Sequence, residues 1–310
     1  MTSDNIGRRQ LLKSTLAGAA GLSFGRTGIE RLATLAGAEE KVCSMPKRRL
    51  GRTGHEVTIF SLGGEAAVDR PDNEDEAVEI INHALDIGVN YIDTAPRYGR
   101  GVSEEHIGKV MKERRDEVFL ATKSHDYSYD GTMRLVEQSL ERLQTDYLDL
   151  YQHHAVDRES QLDQIGRPDG AFHAFEKLQD EGVIKYKGIT GHSPRIILEA
   201  LDRNDYDCVL ITLNAAHMTM SHPEYMEEFL SVAAERDVGV IAMKVISRGG
   251  VLERGLTMEQ ALNYTLSFPV ATAIVGISEL WQLDENAKIA CNFEKLSEEE
   301  RAELERIAQS

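Results

Sequence analysis

The sequence predicts an α/β protein built as a closed (β/α)8 TIM barrel with an N-terminal β-hairpin. From Val57 onward, short apolar runs alternate with amphipathic stretches about eight times. Most of the runs are nearly continuous in apolar and β-branched residues, the pattern of parallel strands covered on both faces. The first of them continues as "SLGGEAAVDR" and lacks the G-x-G-x-x-G turn that an open doubly wound sheet places after its first strand. Eight β-then-α units without that turn favour the closed barrel.

Taken in order, "RRLGRTGHEVTIF" has two extended segments around Arg52-Thr53-Gly54 and reads as a hairpin placed to close the bottom of the barrel. The barrel strands follow as "VTIFSLGG", "VNYIDTA", "VFLATKSH", "YLDLYQHH", "YKGITGH", "CVLITLN", "GVIAMKV" and "TAIVGIS". Between the first two, Ala77, Val78, Ile81, Ala84 and Leu85 form one apolar stripe, and Gly88 is placed to end that helix in a left-handed turn. Pro194 after Ser193 suits a first helical turn. Thr257 with Gln260, and Ser297 with Glu300, have the spacing of capping boxes. No repeat, low-complexity tract or linker divides this part, so residues 39–310 are read as one domain.

The first 38 residues read differently. "GRRQLLKSTLAGAAGL" pairs Arg8 with Arg9 ahead of a short, small-residue apolar segment without acids. It is too short to span a bilayer and has the order of a twin-arginine (Tat) signal peptide, with Ala36-Gly37-Ala38 as the cleavage point. The expectations are export of a folded protein by the twin-arginine machinery and a periplasmic location without a membrane anchor. The formal charge of -17 repels phosphate backbones and anionic lipid, which argues against nucleic-acid or membrane binding. Cys43, Cys208 and Cys291 show no metal-ligand spacing; unpaired thiols are the favoured reading, with a Cys43–Cys291 bridge as the alternative.

In such a barrel the chemistry sits at the carboxyl ends of the strands. Those ends carry Asp93 and Tyr98, then Lys123, then His153 and His154. A phenol ordinarily holds its proton to about pH 10. A nearby ammonium lowers that pKa, a carboxylate keeps the ammonium in place, and an imidazole orients a carbonyl. The set therefore reads as a proton-delivery group, with Lys123 acidifying Tyr98.

"GVNYIDTAPRYGRGVSEEHIGKVMKERRDEVFLATKS" and "YLDLYQHH" resemble the aldo-keto reductases, and the resemblance runs from "RRLGRTG" to "QLDENAKIA". It implies a catalytic tetrad of Asp93, Tyr98, Lys123 and His154, with Tyr98 as general acid in carbonyl reduction and general base in the reverse direction. His154 is chosen over His153 because it stands five residues after the aspartate of "DLY". The implied cofactor is NAD(P)(H), exchanging hydride with an aldehyde, ketone or sugar carbonyl. Its implied contacts are Gly64, Thr190, Asn214, Met243, Lys244, Gly276, Ser278, Gln282, Glu285 and Asn286, with Trp281 beside the adenine-phosphate end.

The cofactor side departs from the family pattern. Thr190 and Gly191 replace Ser-Asn after the fifth barrel strand, Leu210 replaces a glutamine, and Met243 replaces the stacking aromatic. "VGISELWQLDEN" offers no cation to a 2'-phosphate, which leans toward NAD(H) or weak selectivity, with Lys244 and Arg248 as the remaining candidates. Arg97, Arg100, Glu65, His125 and Tyr127 suggest a polar pocket for a hydroxylated or acidic compound. Two other classes compete. A metal-dependent hydrolase would use His125, His153, His154, His192 and His217, although no metal site is expected. A non-catalytic binding or sensory barrel would account for the altered cofactor contacts.

Overall fold

The computed structural model describes residues 44–310. Arg8, Arg9, the Ala36-Gly37-Ala38 cleavage point and Cys43 lie outside the described residues. A hairpin of β1 (Lys47–Arg49) and β2 (Glu56–Thr58) pairs antiparallel. Eight parallel strands then close a barrel: β3 (Phe60–Ala66), β4 (Tyr91–Asp93), β5 (Phe119–Ser124), β6 (Leu148–His153), β7 (Ile184–Gly191), β8 (Cys208–Thr212), β9 (Gly239–Met243) and β10 (Thr272–Ile277). The strand order follows the chain, and β10 closes on β3. This is the (β/α)8 barrel with an N-terminal hairpin that the alternation predicts.

The helices lie outside the barrel. The first half carries α1 (Glu74–Asp86), α2 (Val102–Arg114), α3 (Tyr129–Leu143), α4 (Glu159–Ile165) and α5 (Ala171–Asp180). The second half carries α6 (Pro194–Arg203), α7 (Met226–Glu235), α8 (Gly250–Glu253), α9 (Met258–Leu266), α10 (Leu280–Cys291) and α11 (Glu298–Gln309). Two helices rather than one therefore separate β6 from β7, and two separate β9 from β10. Among the described residues no helix is long and apolar enough to cross a membrane.

The local signals act as chemistry requires. Ser193 accepts from the Ile196 amide at the start of α6, and the Thr257–Gln260 and Ser297–Glu300 boxes are both closed. Each such cap is worth about 1 kcal/mol. Gly88 follows α1 with φ of 94°. The stripe of α1 shifts by one position: Ile80 is fully buried, whereas Val78 is only partly covered. Ile80 completes the i, i+4 row of Ala84 on the sheet side, which leaves Val78 at its edge.

The core has two parts. One fills the space between strands and helices. The other sits inside the lower barrel, where Leu50 and Val57 of the hairpin pack with Tyr91, Phe119, Leu150 and Leu210. The hairpin is tied down by Arg52, which donates to the Tyr206 carbonyl (2.6 Å), and by the Tyr186 hydroxyl, which donates to the Thr53 carbonyl (3.0 Å). Of the cysteines, Cys208 is buried and free, as expected, whereas Cys291 is not free.

Candidate active site

The upper end of the barrel gathers the four expected groups. Asp93 ends β4, Lys123 lies near the end of β5, and both side chains are 1 % exposed. A lysine and an aspartate at that depth persist only as a hydrogen-bonded pair. Lys123 Nζ donates to Asp93 Oδ1 and to the Thr94 carbonyl (2.7 Å). The other carboxylate oxygen, Oδ2, accepts from Gln152 Nε2 at 3.0 Å. Gln152 is a member of this cluster that the motif reading missed; its signal was an amide two residues beyond Leu150 on the same face of a buried strand.

Tyr98 stands on a short turn after β4, followed by three residues at positive φ: Gly99 (55°), Arg100 (59°) and Gly101 (101°). Left-handed backbone at a non-glycine such as Arg100 costs about 1 kcal/mol, and the turn aims Tyr98 back over the barrel. Its ring meets His154 edge to face, with centroids 5.9 Å apart. Lys123 Nζ lies 4.9 Å from the Tyr98 ring centroid.

His153 and His154 point to different places. His153 is fully buried, stacks on Phe175 of α5 at 3.9 Å, and has no hydrogen-bond partner on either ring nitrogen. His154 faces Tyr98 and leaves Nδ1 without a partner. Burial and the Lys123 and Arg97 charges hold its pKa down at about 2, so its imidazole is neutral.

One expectation is corrected here. Tyr98 is not acidified on balance, although the Lys123 ammonium lies over its ring while bonded to Asp93 and the Thr94 carbonyl. Burial and the carboxylates of Asp93, Glu65 and Asp69 push the phenol well above its usual value, and the Arg248 guanidinium pulls the other way. Tyr98 is therefore a firmly protonated donor at neutral pH.

A cavity of about 650 Å3 runs from Asp93 and Tyr98 to Trp281 on α10. Eight of the expected cofactor residues line it: Gly64, Met243, Lys244, Gly276, Ser278, Gln282, Glu285 and Asn286. Gly64 must lack a side chain, because a Cβ there would stand 2.5 Å from Ser103 Oγ and 2.9 Å from the Asp93 carbonyl. Thr190 and Asn214 are elsewhere. Thr190 is buried and accepts from the Ala155 amide, while Asn214 bonds the Met218 amide and the Met218 and Lys244 carbonyls. Gln282 Oε1 accepts from the Ser278 and Glu279 amides and so caps α10.

Three cations line this cavity, Arg70, Lys244 and Arg248, and two of them are already engaged. Glu65 accepts from Lys244 Nζ (3.1 Å) and from Arg248 (2.6 Å), which lie across the mouth from it. Lys244, Ser247 and Arg248 all have positive φ, so the segment that carries both cations is itself strained. The donor set fits a dinucleotide: two cations for its phosphates, a nearly buried Asn286 amide without a hydrogen bond, and a glycine-lined floor.

The strand-end histidines do not converge. His192 Nδ1 pairs with Asp157 (2.9 Å), His153 faces the helix layer, and among the described residues no three metal-binding side chains stand together.

The sequence profile of the Aldo/keto reductase family matches residues 60–263. The chain belongs to that family. It is 29% identical to an uncharacterized oxidoreductase, YqkF, of Bacillus subtilis, over 83% of this chain and 94% of the relative. It is also 29% identical to the L-galactose dehydrogenase of Arabidopsis thaliana, over 84% and 93%. Among solved structures, the holo form of the aldo-keto reductase AKR11C1 from Bacillus halodurans superposes with a TM-score of 0.71 at 29% identity, covering 85% of this chain and 96% of that one. The protein is an oxidoreductase acting on carbonyl or alcohol groups with NAD(P)(H), which sets aside the metal-dependent hydrolase.

Proposed function

We propose that Tyr98 is the general acid that protonates a carbonyl oxygen in reduction, and the general base in the reverse oxidation. The observation that carries this is convergence: Tyr98 and Asp93 line the same cavity as most of the expected cofactor residues, with His154 edge to face on the Tyr98 ring and Lys123 beside that ring and bonded to Asp93. When bound, the nicotinamide supplies or accepts the hydride. Neutral His154 can donate a hydrogen bond that orients the substrate carbonyl, since one tautomer leaves an N–H toward the site. Lys123, fixed by Asp93, presents a positive charge under the Tyr98 ring, which stabilises negative charge developing on the oxygen as the proton leaves.

Carbonyl compounds bearing hydroxyls suit the polar surroundings of Tyr98, and a relative named L-galactose dehydrogenase points the same way. The pairing of Lys244 and Arg248 with Glu65 supports NAD(H) or weak selectivity between the two dinucleotides. Residues 1–38 as a twin-arginine signal and 39–310 as the exported domain complete the reading: the barrel takes up its dinucleotide before export and keeps it in the periplasm. Periplasmic protein purified without nicotinamide would oppose that last step.

The test uses Trp281, the only tryptophan and 60 % exposed at the rim of the cavity. Saturable quenching by NADH or NADPH is expected, and the tighter of the two decides the preference. Tyr98→Phe should keep quenching and lose about 10²–10⁴ in turnover, the usual contribution of a general acid. Quenching with full activity in Tyr98→Phe would refute the assignment; quenching without turnover in the wild-type protein would favour the binding barrel.

A further inference from the structure

We infer that Thr190 and the Asp157–His192 pair are positioning residues, which hold the His154 imidazole against Tyr98 rather than grip the nicotinamide. This rests on the role proposed above for His154. Thr190 and Gly191 stand where the family pattern puts a Ser-Asn pair for the cofactor, and neither is among the residues that line the cavity.

What they touch instead is the segment that follows β6. The Ala155 amide donates to Thr190 Oγ1 (2.8 Å), and the Val156 amide donates to the Thr190 carbonyl (2.7 Å). Asp157 Oδ1 accepts from the His192 amide (2.6 Å), while Oδ2 pairs with His192 Nδ1 (2.9 Å). Residues 155, 156 and 157 are thus each pinned to the end of β7. Gly191 belongs to the same joint. A Cβ there would stand 2.6 Å from the Val156 carbonyl oxygen and 3.3 Å from Asp157 Oδ1, so an asparagine in its place would push the segment away.

The segment needs this hold. Ala155 has φ of 57°, a left-handed conformation that costs a non-glycine residue about 1 kcal/mol. Immediately before it, His154 is fixed through its backbone: its amide donates to the Ser124 carbonyl (2.8 Å), and its carbonyl accepts from the Tyr127 hydroxyl (2.7 Å). Its ring leaves Nδ1 without a partner and meets Tyr98 edge to face. The aim of the imidazole therefore depends on the backbone that carries it, and a displacement of about 1 Å at a reacting group can cost about 100-fold in rate.

The test separates holding His154 from holding the cofactor. Thr190→Val keeps the shape and removes the acceptor for the Ala155 amide; Thr190→Ser keeps the acceptor. Thr190→Val should lower kcat at least about tenfold and leave the Kd of NADH, read by Trp281 quenching, within about twofold of wild type. Thr190→Ser should recover most of the loss. Gly191→Ala, which crowds the segment instead of removing a bond, should give the same split. In a His154→Gln background Thr190→Val should cost less than about twofold more, because its effect passes through the missing imidazole. Weakened dinucleotide binding at unchanged kcat would overturn the inference and return Thr190 to the cofactor. A full additional loss on top of His154→Gln would overturn it as a general loosening of the barrel. The carbon-13 resonance of His154 Cε1, assigned by its absence in His154→Gln, reads the positioning without turnover: it should move in Thr190→Val and return in Thr190→Ser. A moved resonance with unchanged kcat would support the positioning and refute the part proposed for His154 in the reaction. An unmoved resonance would overturn the positioning whatever the kinetics.

Discussion

Replacing Lys123 with methionine removes one half of a buried ion pair and keeps most of the volume. Asp93 would retain only the Gln152 amide as a donor, and the Thr94 carbonyl would lose the ammonium that bonds it. A lone carboxylate at 1 % exposure does not stay charged; it takes a proton. Protonating an ordinary aspartate at pH 7 costs about 4 kcal/mol, which bounds the loss. Breaking buried pairs generally costs about 3–5 kcal/mol, and the orphaned carbonyl lies within that range, so Lys123→Met should lose about 3–5 kcal/mol. Asp93 already has its pKa raised by burial, and losing Lys123 raises it further above the unfolded value. A raised folded pKa favours the native state at low pH and penalises it as pH rises. The gap to wild type should therefore shrink by up to about 1.4 kcal/mol per pH unit between pH 7 and pH 4. Urea unfolding at several pH values measures this, and Asp93→Asn combined with Lys123→Met should recover most of the loss. A loss under about 1 kcal/mol, or a gap independent of pH, would refute the picture of a desolvated pair.

Three other outcomes are expected. His153→Phe should stabilise the protein by about 1–3 kcal/mol in urea, since it removes two buried ring nitrogens without partners and keeps the stack on Phe175. The wild-type His153 has its pKa depressed to about 3, so its contribution is present above the unfolded value near 6.5 and lost as pH falls toward 3; His153→Phe should remove that part of the acid lability. The pH profile of kcat/KM for reduction should be flat from about pH 6 to 9, because His154 is held at about 2 and Tyr98 well above its usual value; an inflection near pH 6.5 that His154→Gln abolishes would contradict this. Glu65→Gln should tighten NADPH binding about tenfold in a Trp281 titration at low salt, by leaving Lys244 and Arg248 unneutralised in the cavity; unchanged affinity would show that these cations do not meet the phosphates.

The barrel is legible in the chain because each strand is covered on both faces, so even the three-residue β4 is embedded in the apolar run "VNYIDTA". Caps are legible because their partners are three residues apart, as Thr257 and Gln260 are. The sequence stripe of α1 includes Val78 and omits Ile80, and the packing of that helix on the sheet buries Ile80 instead. The clustering of Asp93, Tyr98, Lys123 and His154 was legible from strand ends and family spacing. The Glu65 tie was not, since Lys244 and Arg248 are 179 and 183 residues away along the chain. The direction of the Tyr98 shift was also illegible: it is set by burial and by the carboxylates of Asp93, Glu65 and Asp69, which adjacency of strand ends does not specify.

The hairpin of β1 and β2 has a kinetic meaning as well. With Leu50 and Val57 packed into the base of the barrel, that end is filled by side chains, and the cavity lined by Asp93 and Tyr98 lies at the other. A cofactor and a substrate that both enter from that end would bind in order, the deeper one first, and an excess of the outer one should slow release of the inner one in a pre-steady-state experiment.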